Sequence, residues 1–342
     1  MAVQFVKIEV SPHGMAPSSE TDALKMIEVC GRTAYKSEDK ITPDSAKAFV
    51  LMLKKHGHLS VLEHSNAVLR VTADVHSQTG AVEPVQTLQQ NLVSCLKERN
   101  AYHRTHVLPA ANALAIAGNF RGWMETLRYL QDRSNDAYHW LAGAMHRFFP
   151  NLFKASESTP CRPGCDIDLL DSQQQLALLK NDNSSDLPVF IFKIVCDRGI
   201  THEIVRHRVF SFTQESTRYV NYKNKGMTLI LPEELEPYYD PETAALHQGE
   251  SLVTMWEARA DQLFQWYQAD VNRGRRPEIA RDILPNLLKS EIFVSGRWSG
   301  WKHFIELRDS RQAHPRIRII AQAVRKYFAS LGLSCGGDEV HT

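Results

Sequence analysis

Arg198, Arg206, Arg208 and Arg218 fall in one stretch, CDRGITHEIVRHRVFSFTQESTRYVNY (196–222), among Glu203, His207, Ser211, Ser216 and Tyr219. Guanidinium stays charged and donates in a planar fork, so this set suits a phosphate or a negative charge that develops on a carbonyl. A helix capped by Thr201 would bring Glu203 to the same face as Arg206 and His207, three and four residues on. A solvated helix with internal ion pairs has the same composition. Two features favour a lined pocket. The helix follows the apolar run LPVFIFKIV (187–195) through a short Asp-Arg-Gly turn, where helix N-terminal amides and guanidiniums can meet an anion. The polar residues also continue past the helix in the order Arg-His-Arg, Ser, Arg-Tyr.

Other chemistries are excluded by spacing. His202 and His207 are five residues apart, whereas a zinc-protease HExxH pair needs four to share a helix face. The sequence contains no GxGxxG, GxxxxGK[ST] or GxSxG, so a flavin or nucleotide cannot be held by a glycine fingerprint. Cys161 and Cys165 lack a second cysteine pair or a histidine pair close by, so they read as free thiols in a loop.

Arg206-His207-Arg208, seven residues and then Ser216 form an RHRx7S signature that resembles that of the flavin-dependent thymidylate synthases. Further blocks agree in order: GHLSVLEH (57–64), ESTRYVNY (215–222), PEIARDILP (277–285) and HFIELR (303–308) with Ala313 downstream. The resemblance covers 55–70, 189–232 and 277–320, more weakly 26–40. It implies an α+β fold, a twisted sheet packed by helices, within a single domain over 1–342 whose middle segment, 75–187, is enlarged. It implies FAD as cofactor and the reductive methylation of dUMP to dTMP, with 5,10-methylenetetrahydrofolate as carbon donor, NADPH as reductant and tetrahydrofolate released. A homotetramer with shared active sites follows from the same resemblance.

Carried over residue by residue, Arg218 and Ser216 are the catalytic candidates, Arg218 polarising a uracil carbonyl and Ser216 positioning the ring. Glu203, Arg206, Gln214, Glu215, Ser216, Arg218, Arg281 and Arg308 are substrate candidates. His64, Arg206, His207, Arg208, Arg297 and His303 are flavin candidates. The chain departs from the family pattern at Gln214, His314 and Arg316, and Arg297 and Ser299 stand where an Asn-x-Arg is usual; GNFRGW (118–123) is a possible substitute for that contact. Two rivals are a flavin-dependent enzyme that transfers a one-carbon unit to another pyrimidine nucleotide, and a nucleic-acid-binding protein whose RHR cluster meets phosphates. The second is disfavoured by 40 Lys+Arg against 39 Asp+Glu, a formal charge of +1.

These side chains need a scaffold, and 342 residues at 43% hydrophobic content supply the core. Strands are expected over 3–9, 66–75, 187–195 and 227–232, and helices over 21–36 (cap Ser19 or Thr21), 43–57, 83–102, 241–272, 278–290 and 300–332. Residues 119–149 read as helix broken at Arg-Ser-Asn-Asp, and 150–187 as a long loop with a short helix at LDSQQQLALLK. IAGNFRGWMETLR (116–128) echoes VSGRWSGWKHFIELR (294–308), with Gly118/Gly296, Gly122/Gly300 and Trp123/Trp301 in register. A duplicated strand-turn-helix and coincidence both account for it. The N-terminus lacks the pattern of a secretory leader, no run nears the roughly 20 apolar residues of a membrane span, and six scattered cysteines point to reduced thiols. A cytoplasmic location, without membrane or nucleic-acid partners, is the expectation.

Overall fold

The nine-residue run VFIFKIVCD is buried on both faces because it is the inner strand of an antiparallel sheet covered on two sides. In this computed structural model, residues 3–17, 19–73, 103–108, 113–132, 135–154, 165–182 and 185–335 are described. The chain opens with β1 (Gln4–Val6) and β2 (Glu9–Met15), so the strand expected over 3–9 is divided between two sheets. Helix α1 (Glu20–Tyr35) follows, with Ser19 as its cap, then α2 (Ser45–Lys55) and a 3-10 turn at Leu59–His64.

Next come β3 (Ala67–Ala73), β4 (His103–Leu108) and β5 (Ala113–Gly118), then helices α3 (Phe120–Gln131) and α4 (Asn135–Phe148). The expected break between those two helices is present. The helix expected over 83–102 lies outside the described residues. Within 150–187, expected to be mostly loop, the chain forms β6 (Cys165–Leu169) and α5 (Ser172–Asn181). A capping box between Asp171 and Gln174 starts α5. The strand carries little signal in the sequence because CDIDL has only two apolar residues beyond its cysteine and lies at the sheet edge, paired with β3.

The second half contains β7 (Val189–Asp197), α6 (Arg198–Ile204), β8 (Ser211–Gln214), β9 (Thr228–Ile230), β10 (Tyr239–Asp240), β11 (Ala245–Leu246) and α7 (Ser251–Asn272). Then come β12 (Lys289–Arg297), α8 (Trp298–Arg308) and α9 (Pro315–Ser330). Two expected helices are therefore shorter, and the one expected over 300–332 is divided into α8 and α9 at 309–314. A small hairpin, with Ala244 and Gly249 at positive φ, takes the first residues of 241–272. Of 278–290, only Pro277–Ala280 and a 3-10 turn at Arg281–Ile283 are helical. The Leu284-Pro285 pair ends the helical turn, because a residue before proline is pushed to extended geometry.

The two main sheets have orders β2-β7-β12-β8 and β4-β5-β3-β6. In the first, one face carries Phe190, Phe192, Ile194, Ile292 and Val294 onto α8 and α9, where Trp301, Phe304 and Phe328 complete the packing. The opposite face carries Ile191 and Phe293 into a second core shared with α1, α2, α3 and α4. Burying such side chains stabilises the fold by roughly 1.5–3 kcal/mol each.

The sequence echo proves to be structural. Both segments form a strand, a turn and a helix. Gly118 pairs across its sheet with Ala67, and Gly296 with Phe190. The Trp123 indole donates to the Ala67 carbonyl at 3.3 Å, and the Trp301 indole to the Phe190 carbonyl at 3.3 Å. Each glycine leaves room for an aromatic ring. An added Cβ would come within 2.7 Å of His103 at Gly118, and within 2.2 Å of Phe210 at Gly296. Those rings in turn lie 4.6 Å from Trp123 and 4.3 Å from Trp301. Two copies of one unit thus anchor the two sheets.

Gly296→Ala is expected to destabilise the protein by about 1–3 kcal/mol through overpacking against Phe210. Urea denaturation measures this, and an unchanged midpoint would show that the ring does not rest on the backbone there.

Candidate active site

The arginine-rich stretch is positioned by Asp197, the last residue of β7. Its Oδ1 accepts the Ile200 amide at 2.8 Å and so caps α6, while Oδ2 accepts from Arg316 at 3.0 Å. Thr201, the cap expected from the sequence, instead donates to the Arg198 carbonyl inside the first turn. Because α6 ends at Ile204, Arg206 and His207 follow it in a turn and do not share its face with Glu203. The ion-pair partner of Glu203 comes from far along the chain.

That partner is Arg308, at the end of α8. One of its terminal nitrogens donates to Glu203 at 2.8 Å and its Nε donates to His207 Nε2 at 3.0 Å. His207 must then present an unprotonated Nε2, which assigns its proton to Nδ1. The ring is buried against Phe304, 4.9 Å between centroids. Burial, then the Arg308 and His303 charges, pushes its pKa down to about 4, so it is neutral at physiological pH. His303 lies beside it at 6.2 Å. Arg206 and Arg208 flank it with exposed side chains, and Val209 is 71% exposed. The structure thus joins Glu203, His207, His303 and Arg308 into one cluster.

A second cluster forms where β8 leaves its sheet. The Ser216 amide donates to the Ala34 carbonyl at the end of α1, 3.0 Å away, and the Ser216 hydroxyl accepts the Arg218 amide at 3.3 Å. Arg218 is exposed and lies over the Tyr219 ring, 5.5 Å to its centroid. Arg281 approaches Thr217 Oγ1 at 3.4 Å from the short helical turn after α7. Gln214 and Glu215 face inward. The Gln214 amide donates to Thr201 and Ser290 hydroxyls, both at 2.9 Å.

Glu215 is 3% exposed and belongs to a buried charge cluster that the sequence did not reveal. Its Oε2 lies 3.5 Å from the Lys36 ammonium and 3.7 Å from that of Lys289, and the Tyr222 hydroxyl donates to Oε1 at 3.2 Å. Glu291 receives Lys36, Lys193 at 2.6 Å and Lys289. Burial would raise the Glu291 pKa, but hydrogen bonds from these three ammoniums hold it well below the usual carboxylate range. Burial likewise opposes the Lys36 charge, and the two carboxylates outweigh it, so Lys36 titrates above an ordinary lysine. Lys36 caps α1 in the left-handed conformation at φ 50°. The only sequence clue is the period-two placement of Lys289 and Glu291, which puts both on one strand face.

The remaining flavin candidates have structural partners. His64 is fully buried, with Nδ1 at 2.6 Å from the Ser295 hydroxyl and Nε2 at 2.8 Å from that of Thr213. Burial lowers its pKa to about 3. Arg297 donates to the Asp186 and Leu187 carbonyls at 3.1 and 2.6 Å. Ser299 gives its amide and hydroxyl to the Asp186 carboxylate, at 3.0 and 2.6 Å, so the start of α8 is capped from within. Arg121, from the GNFRGW segment, pairs with Glu63 at 2.7 Å, and Glu63 accepts from Ser211, three residues past Arg208, at 2.8 Å. The segment noted in the sequence therefore reaches the RHR turn through a carboxylate. Cys30 and Cys196 are buried free thiols, and Cys335 is buried. Among the described residues no group of three or more His, Cys, Asp or Glu is arranged for a metal, and no helix is long and apolar enough to cross a membrane.

The molecule is thus an α+β protein with guanidinium groups gathered at two turns of its main sheet. Residues 178–331, which include both turns, match the family model described as thymidylate synthase complementing protein, bearing out the resemblance read from the sequence. The flavin-dependent thymidylate synthase of Mycobacteroides abscessus is 34% identical over 147 residues, 41% of this chain and 57% of that one. That of Pyrococcus furiosus is 33% identical over 135 residues, 39% of this chain and 51% of that one. The chain matches little more than half the length of these relatives. A UMP/dUMP methylase, PolB from Streptomyces cacaoi, solved with 5-Br UMP, aligns at TM-score 0.36 and 22% identity over 46% of this chain and 78% of that one.

Because His64 stays neutral when folded (pKa about 3) but takes a proton near pH 6.5 when unfolded, its contribution to stability is complete above about pH 6.5 and declines as pH falls toward 3. By pH 5 this amounts to about 2 kcal/mol. Urea titrations at pH 7.5 and 5.0 should show that loss, and His64→Asn should reduce the difference between the two curves. An identical pH difference in both proteins would remove His64 as the source.

Proposed function

We propose that this protein is a flavin-dependent thymidylate synthase. It binds FAD, methylates dUMP to dTMP with 5,10-methylenetetrahydrofolate as carbon donor and NADPH as reductant, and releases tetrahydrofolate. The supporting observation is the pair of arginine clusters within the family-matched region: Arg308 held by Glu203 and His207, and Arg218 and Arg281 beside Ser216. The names of the relatives support the same reading.

Uracil C5 is a weak nucleophile, so the site must build electron density there. Arg218 is suited to this. Its guanidinium is exposed, permanently cationic and carried on a turn whose backbone is fixed to α1, so it can meet charge developing at a uracil carbonyl without reorganising. The Ser216 hydroxyl fixes the backbone of that turn and orients the ring. Arg281 and Arg308 supply bidentate donors for the nucleotide phosphate, with Arg206 beside them, while Glu203 orients Arg308 and meets the nucleotide away from its phosphate. Gln214 and Glu215 act from beneath, holding the turn against the sheet.

The residues present fit a dinucleotide cofactor at the RHR turn. Arg206 and Arg208 offer two exposed cations for a diphosphate, and exposed His303 lies beside neutral His207. FAD, when bound, supplies the redox chemistry of the reductive step. His64, Arg297 and His207 support this surface from inside. Val209 and Leu307, 71% and 48% exposed next to Arg208 and Arg308, suit a chain–chain contact in a homotetramer that completes each site with residues from two subunits. A cytoplasmic location accords with the buried thiols of Cys30 and Cys196.

Purified protein should be yellow and should convert dUMP to dTMP when given methylenetetrahydrofolate and NADPH. Arg218→Ala should lower kcat by about 100-fold or more with flavin absorbance and circular dichroism unchanged. A colourless protein that retains no added FAD would sink the cofactor assignment, and full turnover in the variant would sink the role of Arg218.

A further inference from the structure

Behind Arg308 the link between α8 and α9 opens into a groove of about 1180 Å³, walled by that link, by α9, and by Lys7 and Glu233 with their neighbours. Its charge is one-sided. Six cationic side chains line it against three acidic ones. Arg316 is neutralised by Asp197, and Arg325 by Asp309 within the groove. Among the described residues no carboxylate lies within ion-pairing distance of Lys7, Arg311, Arg318 or Lys326, while Glu233 and Glu236 remain on the far wall. Two positive charges are left over locally in a chain whose whole formal charge is +1.

The cations are also ordered in space. Arg318, Gln322 and Lys326 recur every four residues along α9, so they share one helix face and extend over about 12 Å of its axis. Arg311 precedes them on the link between the helices, lining the groove with Asp309 and Ser310. Gln322, between the two cations, donates to Asp309 at 3.1 Å, but that carboxylate is already paired with Arg325, so Arg318 and Lys326 keep their charge on this face. Most small-molecule pockets are largely apolar with a few polar groups. This groove differs in kind: nine of its lining residues are charged, and Ile8, Leu231 and Ile319 are among the few apolar ones.

We infer that this groove is a binding site for an elongated small polyanion, one bearing several phosphate or carboxylate groups spaced along a chain. Arg311, Arg318, Lys326 and Lys7 are its ligands. The site is separate from the nucleotide contacts proposed above, and its existence does not depend on that reading. A formal charge of +1 over the whole chain gives little long-range attraction for a large nucleic acid, so the ligand is a chain short enough to lie along α9.

Isothermal titration calorimetry of the full chain with short-chain inorganic polyphosphate and, separately, with a tetraglutamate peptide tests this at low and at high salt. Micromolar binding of either ligand is expected, weakening at high salt and falling at least tenfold in Arg311→Glu/Arg318→Glu. The preferred ligand identifies whether phosphate or carboxylate is the natural chemistry. Lys7→Glu/Lys326→Glu, on the two other parts of the wall, should show the same loss if the first variant fails to fold. Binding of neither ligand, binding unchanged by both charge reversals, or tighter binding to a DNA duplex than to either ligand would overturn the inference.

Discussion

The ammonium of Lys36 bridges Glu215 and Glu291, and through that bridge three separate parts of the chain become one support. Lys36 closes α1, Glu291 lies within β12, and Glu215 immediately precedes Ser216. Taking the Glu215 and Glu291 carboxylates out of water is costly unless each finds a counter-charge, which the half-buried lysines supply. Breaking one such pair commonly costs about 3–5 kcal/mol, because the partner is left buried and alone. That penalty fixes the end of α1 against the edge of the main sheet. The backbone contact from Ser216 to Ala34 then follows, and with it the direction in which the turn carries Arg218 outward. An apolar cluster of equal volume would fill the same space but would not select one register, since dispersion contacts lack the directionality of three ammoniums around one carboxylate.

Arginines in this protein divide by what surrounds their guanidinium. Arg297 satisfies the carbonyls of Asp186 and Leu187, and Arg316 holds the carboxylate that caps α6. These are framework groups. Arg206, Arg208 and Arg218 are exposed and uncommitted to the core, while Arg308 is intermediate, oriented by Glu203 and by a neutral histidine. The neutrality of His207 matters electrostatically. A protonated ring could not accept from Arg308, and it would add a second positive charge to a half-buried spot. Desolvation keeps it neutral and so lets one side chain orient another.

The middle of the chain adds a second sheet built on the same unit as the first. In both copies a glycine at the end of a strand admits an aromatic ring, and an indole N–H five residues on closes onto the opposing strand. The copies differ in their polar content. Arg121 of the first copy turns back to Glu63 and, through it, to Ser211, so the added sheet is braced against the very loop that carries the RHR turn.

Sequence alone determined the elements whose signal is local. The apolar run at 187–195 became an inner strand, Ser19 capped its helix, the Arg-Ser-Asn-Asp break separated two helices, and the order of the RHRx7S, PEIARDILP and HFIELR blocks pointed to one family. Periodicity, capping chemistry and motif order are properties of neighbours in the chain, so they can be read without coordinates. Tertiary structure decided the rest. Only folding showed that Asp197 outcompetes Thr201 as a cap, that Glu203 seeks Arg308 across 105 residues in place of Arg206, and that Glu215 faces two lysines inside the protein. These outcomes depend on which distant side chain arrives within a few ångströms and how much water it displaces. Charge pairing and desolvation act over distances in space, and a linear sequence does not encode them as spacing.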